Sequence, residues 1–379
     1  MLAPTGKADR KWTDAQPAAS DESFGVSIRS ATLRYGDFKA VDDVSLEIAP
    51  GEFMSLLGPS GSGKTSLLNI LSGFTTPSSG SVWFGSTDVT VTPPHKRGIG
   101  LVFQNYALFP HMTVGENVAF PLRARRIPRV DCQADVRRAL EMVELGGYED
   151  RGITQLSGGQ RQRVALARAI VFRPKLILMD EPLSALDKQL RETMQIELRH
   201  LHRRLGATIV YVTHDQREAL TMSDRIAILR AGRLVQVDRP EGLYDNPGSR
   251  FVASFIGEAT LVPVERAGPN AVSLGPATLR SSRSIPPAGP LLIALQTEKL
   301  VVAGGGGAGA EGNRLFGTVT DIVYQGESLR VFERLAGGTI ISFRQPSHHV
   351  GRGQISDRGA TIELTLHPAD TVVVSAEDS

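Results

Sequence analysis

The chain has 379 residues, of which 41% are hydrophobic and 22% are charged, a balance typical of globular proteins with a substantial core. Its net charge of +2 gives no support for a nucleic-acid partner, and its single cysteine, Cys132, excludes an internal disulfide and fits a reducing compartment. No apolar run reaches the roughly 18–20 residues that a membrane-spanning helix needs, so we expect a soluble, cytoplasmic chain.

The N-terminal segment, residues 1–24, lacks the apolar stretch of a secretory signal and is expected to form a polar, disordered tail. Beyond it, short apolar runs alternate with helical patterns. The apolar runs have the length of buried parallel strands and lie at 53–58, 98–103, 176–180 and 208–213. Strands interleaved with helices predict an α/β domain with a largely parallel sheet over residues 25–240.

The clearest helical pattern begins at Asp187 and ends before Gly206. Apolar side chains recur in it at spacings of three and four residues, at Leu190, Met194, Leu198, Leu201 and Leu205. Such a stripe is typical of a helix that packs one face against a core, and glycine is a common residue just past a helix end. The sequence therefore predicts a helix over 187–205.

After about residue 240 the helical periodicity fades, and Gly and Pro separate short strand-like segments. These segments lie at 291–296, 317–326, 329–335, 339–344, 361–366 and 371–374. A glycine-rich stretch at 304–312 is expected to be a flexible loop. The pattern predicts a small all-β, barrel-like domain over residues 241–379.

Residues 58–65, GPSGSGKT, match the phosphate-binding pattern of glycine, any four residues, then Gly-Lys-Ser/Thr. An apolar strand precedes the motif and a helical segment follows it, which disfavours a chance match in a glycine-rich turn. Glycines let backbone N–H groups approach phosphate oxygens, and the N-terminus of the helix favours the same anion. Lys64 is expected to reach the outer phosphates, and the Thr65 hydroxyl is expected to bind Mg²⁺. The predicted nucleotide-binding residues here are Gly58, Pro59, Ser60, Gly61, Ser62, Gly63, Lys64, Thr65 and Ser66.

Two further strand ends carry polar side chains to the same predicted edge of the sheet. The stretch 176–182, LILMDEP, ends in Asp180, which is expected to hold the metal, and Glu181, expected to polarise the attacking water as general base. His214 follows another such strand and is expected to donate to a γ-phosphate oxygen. An ordinary acidic helix cap and a partly exposed capping histidine are the alternatives. The phosphate loop in the same sheet favours catalytic roles for Glu181, His214 and Lys64.

The stretch LSGGQ at 156–160 offers a second seat for phosphate oxygens, through Ser157 and the amides of Gly158 and Gly159 at a helix start. A capped helix without a ligand is the alternative. The chain's own nucleotide is already bound by residues 58–65, so we expect the second seat to serve the nucleotide of a second copy. Two copies related by a two-fold axis would then bury two ATP molecules between them.

Over about residues 30–245, these motifs and their order resemble those of the ATP-binding subunits of ABC transporters. The resemblance implies a P-loop NTPase domain that uses ATP and Mg²⁺. It makes GPSGSGKT the Walker A motif, LILMDE the Walker B motif and SALD at 184–187 the D-loop. LSGGQ becomes the signature, in which the residues from Ser157 to Gln160 contact the partner's ATP.

The same resemblance gives roles to three further side chains. Gln104, in LVFQ, lies at the position of the Q-loop glutamine and would bind Mg²⁺ together with Thr65 and Asp180. His214 corresponds to the switch histidine, and Tyr35 lies where the family stacks an aromatic ring on adenine.

Two regions resemble those of importers in particular. Residues 104–122, QNYALFPHMTVGENVAFPL, are similar to the surface by which importer subunits contact a membrane permease, although Leu108 and Phe109 also suit core packing. The C-terminal β region resembles the OB-type TOBE domains of sugar, polyamine and metal importers. The resemblance thus implies a homodimer held peripherally at the cytoplasmic face of the membrane by permease subunits, with an extracytoplasmic solute-binding protein and no nucleic acid.

Residues 218–260 most resemble polyamine (spermidine/putrescine) importers, which makes a polyamine the expected solute. Ferric iron, a sugar or another small solute is the alternative. Where many relatives carry Arg-Pro-Glu, this chain has Gln296-Thr297-Glu298.

Two other classes of protein are the alternatives to an importer subunit. A soluble ABC ATPase that acts on DNA or ribosomes tends to carry a long coiled-coil insertion or two cassettes; this sequence shows neither, and its near-neutral charge disfavours a phosphate-backbone partner. A regulatory protein that binds nucleotide without turnover is disfavoured by the intact set of Lys64, Asp180, Glu181 and His214.

Overall fold

The computed structural model describes residues 23–257, 259–303, 312–348, 351 and 357–377. The chain divides into two compact units, residues 1–224 with 229–233, and residues 225–228 with 234–379. The predicted N-terminal tail and the predicted glycine-rich loop lie almost entirely outside the described residues.

Strands and helices alternate through most of the first 255 residues. The strands are β1 Val26–Tyr35, β2 Phe38–Ile48, β3 Phe53–Leu57, β4 Ser79–Phe84, β5 Thr87–Asp88, β6 Gly100–Val102, β7 Leu176–Asp180, β8 Thr208–Thr213, β9 Arg225–Arg230 and β10 Arg233–Asp238. The helices are α1 Lys64–Ser72, α2 Val114–Ala124, α3 Arg129–Met142, α4 Gly158–Ile170, α5 Lys188–Leu205, α6 Gln216–Met222, α7 Pro240–Asp245 and α8 Arg250–Phe255.

The predicted parallel strands form one sheet, in the order β3-β8-β7-β6. Each pairs in parallel with its neighbour, and strands β3 and β8 are buried throughout. In this register Leu57 is opposite Thr213, and Asp180 is opposite Val212. The ends of β3, β7 and β8 therefore coincide, so the residues that follow them meet at a single edge.

A second sheet in the first unit is antiparallel, with the order β2-β1-β4-β5. The sequence pattern predicts a largely parallel sheet and gives no separate signal for this antiparallel one. Strands β1 and β2 have exposed residues interspersed with buried ones, whereas the parallel strands are continuous apolar runs. Mixed strands of this kind give a weaker local signal.

The predicted helix at 187–205 is present as α5. Asp187 is its N-cap, because its side chain accepts a hydrogen bond from the backbone N–H of Leu190. Gly206, in the left-handed conformation with φ 62°, ends it. Met194, Leu198 and Leu201 are buried as predicted, and Leu190 and Leu205 pack against the same core.

The second unit contains two antiparallel sheets, ordered β13-β12-β11-β14-β20 and β15-β19-β16-β17-β18. Their strands are β11 Ala259–Gly268, β12 Ala271–Leu274, β13 Ala277–Arg280, β14 Leu291–Gln296, β15 Val301–Val302, β16 Asn313–Tyr324, β17 Ser328–Leu335, β18 Ile340–Pro346, β19 Thr361–Leu366 and β20 Val372–Ser375. Every predicted C-terminal strand is present. Strands β11 to β13, the two-residue strand β15 and the six-residue helices α7 and α8 were not predicted.

The departure from Arg-Pro-Glu lies at the end of β14. Gln296 and Thr297 are buried, and the Gln296 amide donates to the Tyr244 carbonyl oxygen at 2.9 Å. The backbone N–H of Arg344 donates to the Thr297 carbonyl oxygen at 2.8 Å. These residues are thus part of the internal packing of the second unit.

Candidate functional site

The phosphate loop joins β3 to α1, and at two of its positions the local geometry requires glycine. A Cβ on Gly58 would overlap the Leu229 carbonyl oxygen and lie 2.7 Å from Oγ of Ser62. Gly63 precedes the first residue of α1 with φ 98°, a conformation that side-chain-bearing residues rarely adopt. The backbone therefore turns tightly just before the N-terminus of α1, and a helix N-terminus favours an anion such as phosphate.

Lys64 is buried inside this loop. Its Nζ donates to the carbonyl oxygens of Gly58 at 2.8 Å and Pro59 at 2.9 Å. Burial lowers the pKa of Lys64, while the charges of Glu181 and Asp180 oppose that shift. Because its two closest acceptors are neutral, the ammonium group would gain from an anionic phosphate oxygen.

Asp180 closes β7 and faces the phosphate loop. The Thr65 hydroxyl donates to Oδ1 of Asp180 at 3.4 Å. Burial, followed by the neighbouring charge of Glu181, raises the pKa of Asp180, while the Thr65 hydrogen bond and the charge of Lys64 oppose that shift. The phosphate loop and the end of β7 are therefore in direct contact.

Glu181 has a left-handed backbone with φ 43°, which is uncommon outside glycine. Its N–H donates to the Val212 carbonyl oxygen at 3.0 Å, and its own carbonyl oxygen accepts from the Ser184 hydroxyl at 2.8 Å. These bonds fix the conformation, which directs the side chain towards two partners. Oε1 lies 3.1 Å from Nδ1 of His214, and Oε2 accepts from the Gln104 amide at 3.4 Å.

The structure brings together six of the predicted site residues, five through side-chain contacts and Lys64 through the charges of Asp180 and Glu181, which act on its ammonium group. They are Gln104, Lys64, Thr65, Asp180, Glu181 and His214. Gln104 comes just after β6, which places it at the same edge of the sheet. His214 is more than half exposed, so it remains accessible to a ligand.

Oxygen donors for a magnesium ion are present at this edge. The Thr65 hydroxyl and the Asp180 carboxylate are already 3.4 Å apart, and hard oxygen ligands are those that Mg²⁺ prefers. Within the part of the chain that the structure describes, no three His, Cys, Asp or Glu side chains converge on a metal site. These residues fit a cation that takes most of its remaining ligands from phosphate and water.

The predicted second seat has the geometry of a capped helix end. Ser157 is the N-cap of α4, where its Oγ accepts from the Gln160 N–H and the Gln160 side chain accepts from the Ser157 N–H. Gly158 is exposed, while Gly159 is packed so closely that a Cβ would lie 3.0 Å from the Leu190 side chain. Within the described part of the chain, the side chains of Ser157 and Gln160 form hydrogen bonds inside this cap and none to the six residues named above.

Tyr35 lies at the end of β1, where it pairs with Phe38 across a tight turn. The two rings are 58% and 64% exposed, respectively, so this turn presents aromatic surface. An exposed aromatic ring of this kind suits stacking on a planar base.

Two functional candidates went unnoticed in the sequence. Arg168, on α4, is buried and donates to the carbonyl oxygens of Tyr106 at 2.5 Å and Ala107 at 2.7 Å. Asn117, on α2, is fully buried and exchanges hydrogen bonds with the backbone of Phe109. Together they hold the loop after Gln104. A charged residue within the apolar stretch VALARAI was the available signal for Arg168.

Comparisons with known proteins give matches to both parts of the chain. Residues 41–184 match the family model described as ABC transporter, and residues 293–374 match that described as TOBE domain. The spermidine/putrescine import ATP-binding protein PotA 2 of Pseudomonas aeruginosa is 44% identical over 345 residues, 89% of this chain and 95% of that protein. The sulfate/thiosulfate import ATP-binding protein CysA 2 of Chromobacterium violaceum is 44% identical over 312 residues, 82% of this chain and 84% of that protein.

A solved structure also matches. The dimeric post-hydrolysis state of the ATP-binding cassette MJ0796 bound to ADP and Pi aligns with a TM-score of 0.50 at 34% identity, covering 57% of this chain and 98% of that one. A P-loop ATPase domain followed by an all-β domain is therefore the architecture of this chain, and it belongs to the ABC transporter family as an ATP-hydrolysing subunit. Within that family, it is one of the members that carry a C-terminal TOBE domain.

Proposed function

We propose that this chain powers solute import by closing as a homodimer around two ATP molecules. The observation that carries the proposal is the division of the site. Lys64, Asp180 and Glu181 form a linked catalytic edge, whereas the capped helix start at Ser157 is exposed and makes its side-chain bonds elsewhere. A second copy would bring its own Ser157 to this edge, as the similarity to a dimeric cassette supports.

Each linked residue has a role in this proposal. The phosphate loop, residues 58–66, binds the triphosphate, and Lys64 supplies a buried positive charge. Glu181 accepts a proton from the attacking water, while His214 holds the Glu181 carboxylate on one side and meets the γ-phosphate. Tyr35 stacks on the adenine ring.

The Mg²⁺ ligands in this proposal are Thr65, Asp180 and the amide oxygen of Gln104. The Gln104 nitrogen donates to Glu181 at 3.4 Å, which leaves its oxygen free to face the ion. When bound, the ion would neutralise the charge of the phosphate groups. Residues Ser157, Gly158, Gly159 and Gln160 would contact the partner's nucleotide, because their exposed helix N-terminus attracts phosphate oxygens.

The segment 104–122 is the proposed contact with a membrane permease. Phe120 is 42% exposed, and its ring packs 4.7 Å from that of Phe109, so an aromatic patch faces outward. Leu108 packs partly against the core, so the segment serves both packing and docking. Among the described residues, no helix combines the length and the apolar character that a bilayer crossing requires. Through the proposed contact with a permease, the chain would sit peripherally at the cytoplasmic face of the membrane.

A polyamine is the proposed solute, taken up with an extracytoplasmic solute-binding protein. The alignment with the polyamine-import relative covers 345 residues and that with the sulfate-import relative covers 312, both at 44% identity. Sulfate is therefore the second candidate. Uptake of labelled spermidine and of labelled sulfate by cells that express this chain with its permease would separate the two.

Hydrolysis is tested with Glu181→Gln, which keeps the shape of the side chain and removes its basicity. Purified wild-type protein is expected to release phosphate from ATP. The variant is expected to bind ATP but to release phosphate at least about 100-fold more slowly. Glu192→Gln, an exposed change on α5, is the control. Normal turnover by Glu181→Gln would remove the general-base role, and no ATP-dependent release by the wild type with its permease would remove the function.

A further inference from the structure

Arg191, in the first turn of α5, bridges the two segments that support the proposed catalytic pair. Its Nη2 donates to the Leu186 carbonyl oxygen at 2.9 Å, and its Nη1 lies 3.4 Å from Oδ2 of Asp215. Leu186 belongs to the turn that follows Glu181, and Asp215 is the neighbour of His214. One guanidinium group therefore contacts the backbone on the Glu181 side and a carboxylate on the His214 side.

These contacts close a ring. The Ser184 hydroxyl donates to the Glu181 carbonyl oxygen at 2.8 Å, which ties the turn containing Leu186 to Glu181. The Glu181 carboxylate lies 3.1 Å from His214. His214 is bonded along the chain to Asp215, and Arg191 closes the ring by contacting both Asp215 and the Leu186 carbonyl oxygen. The Glu181–His214 contact is thus one side of a ring of contacts that Arg191 completes.

The His214 side of the ring is itself well ordered. The N–H of Asp215 donates to Oγ1 of Thr213 at 2.9 Å, and Oδ1 of Asp215 caps α6 by accepting from the Arg217 N–H at 2.8 Å. The Thr213 hydroxyl in turn donates to the buried carboxylate of Glu218 at 2.7 Å, whose other oxygen lies 3.9 Å from Nε of Arg191. Arg191 thus faces two carboxylates of the segment that carries His214.

We propose that Arg191 is a positioning residue, which holds His214 against Glu181 by tying the 184–187 turn to the 213–218 segment. The proposal rests on the proposed function, because it assumes that the Glu181–His214 pair performs hydrolysis. Arg191 itself touches neither water nor phosphate in this role. Its loss changes the geometry of the pair and leaves the phosphate loop as it is.

The chain offers a matched control for a purely structural role. Arg199, two turns further along α5, donates through Nη1 to the Thr221 carbonyl oxygen of α6 at 2.9 Å. It braces α5 against α6 without reaching the 184–187 turn or Asp215. If Arg191 only supported this helix packing, Arg191→Met and Arg199→Met would have similar effects.

The test compares kcat and KM for ATP in the full chain. Arg191→Met is expected to lower kcat about 10-fold or more and to change KM by less than about 2-fold, because the loop that binds ATP is untouched. Arg191→Lys, which keeps the charge but not the forked geometry, is expected to recover part of kcat. Arg199→Met is expected to retain most of it. Asp215→Asn, which removes the ion pair from the other side and can still cap α6, should reproduce the loss and replaces Arg191→Met if that variant does not fold.

A double-mutant comparison gives the sharper readout. If Arg191 acts through His214, Arg191→Met should lower kcat little further in a His214→Ala background, because the positioned group is already gone. The proposal would be overturned if the fold-reduction in kcat of the double variant equalled the product of the two single reductions. Equal reductions in kcat for Arg191→Met and Arg199→Met would also overturn it. Those results are obtained with an active wild-type protein, whereas failure of the proposed function would be an inactive wild type.

Discussion

Glu181 and His214 form the shortest side-chain link between separate strands at the site, with 3.1 Å between Oε1 and Nδ1. The other carboxylate oxygen of Glu181 accepts from Gln104 at 3.4 Å. Both oxygens are therefore held by side chains that follow other strands of the same sheet. A base restrained in this way needs little reorganisation when the attacking water arrives.

Removal of His214 is predicted to slow hydrolysis without weakening ATP binding. In His214→Ala, Glu181 loses one of its two restraints and the γ-phosphate loses a donor, so kcat should fall about 100-fold. ATP affinity should stay within about 3-fold, because Lys64 and the phosphate loop keep their contacts. Stopped-flow nucleotide binding and steady-state phosphate release measure the two quantities. A variant that keeps most of its kcat would contradict the role of His214.

The phosphate loop is predicted to tolerate a methyl group at Gly61 better than at Gly58. At Gly58 a Cβ would overlap the Leu229 carbonyl oxygen, whereas at Gly61 nothing lies within 4 Å and only the positive φ of 76° opposes the change. Gly61→Ala should therefore cost about 1–2 kcal/mol of stability, and Gly58→Ala should cost more and impair ATP binding. Thermal unfolding with and without ATP measures both. An equally mild Gly58→Ala variant would contradict the close packing at this turn.

Arg168 is predicted to order the segment that we propose contacts a permease. Lysine has a single terminal nitrogen, so Arg168→Lys should lose at least one of the two bonds to Tyr106 and Ala107. Hydrogen exchange in residues 104–112 should rise, and stimulation of hydrolysis by the permease should fall several-fold more than basal hydrolysis. Arg163→Lys, on the same helix but in a partly buried ion pair with Glu197, is the control. Unchanged exchange in Arg168→Lys would rule out this role.

The second unit is predicted to lose stability as the pH rises, because of a buried carboxyl group. Glu333 on β17 is fully buried, and neither oxygen has a hydrogen-bond partner among the described residues. A Cβ on Gly317 would overlap this carboxyl group, so the glycine makes room for it. Burial raises the pKa of Glu333 to about 7 from a usual value of 4.5.

The direction follows from the raised pKa. Below pH 4.5 the group is neutral in both the folded and the unfolded chain, so it has no net effect. As the pH rises from about 4.5 to 7 the unfolded chain ionises first, and the free energy of unfolding falls by an amount on the order of 3 kcal/mol. Glu333→Gln should remove most of this pH dependence of the free energy of unfolding, and it should be more stable than the wild type at pH 8. Glu327→Gln, at an exposed position, is the control. Parallel pH profiles for Glu333→Gln and the wild type would contradict it.

The parts of the site that sequence predicts are those set by local pattern. The continuous apolar runs before Gly58, Asp180 and His214 mark buried parallel strands, and in such sheets ligands bind at the carboxyl ends of strands. This reasoning places the catalytic side chains at one edge without coordinates. It does not give the register, on which the contact between Glu181 and His214 depends.

The parts that sequence does not predict depend on long-range contacts. Arg168 bonds to carbonyl oxygens 61 and 62 residues away, and no local spacing encodes such a pair. Arg191 reads as one more charge on the polar face of α5. Strands β11 to β13 contain exposed and buried residues in mixture, which gives a weak signal beside Gly and Pro.

Sedimentation of Glu181→Gln with ATP, alone and combined with Ser157→Arg, measures whether each ATP is shared by two copies. Glu181→Gln is expected to form a dimer with two bound ATP molecules. The double variant should remain a monomer whose own affinity for ATP is nearly unchanged, because arginine blocks only the seat offered to the partner. Loss of ATP affinity in that monomer, or a Glu181→Gln protein that encloses ATP without pairing at any concentration, would contradict it.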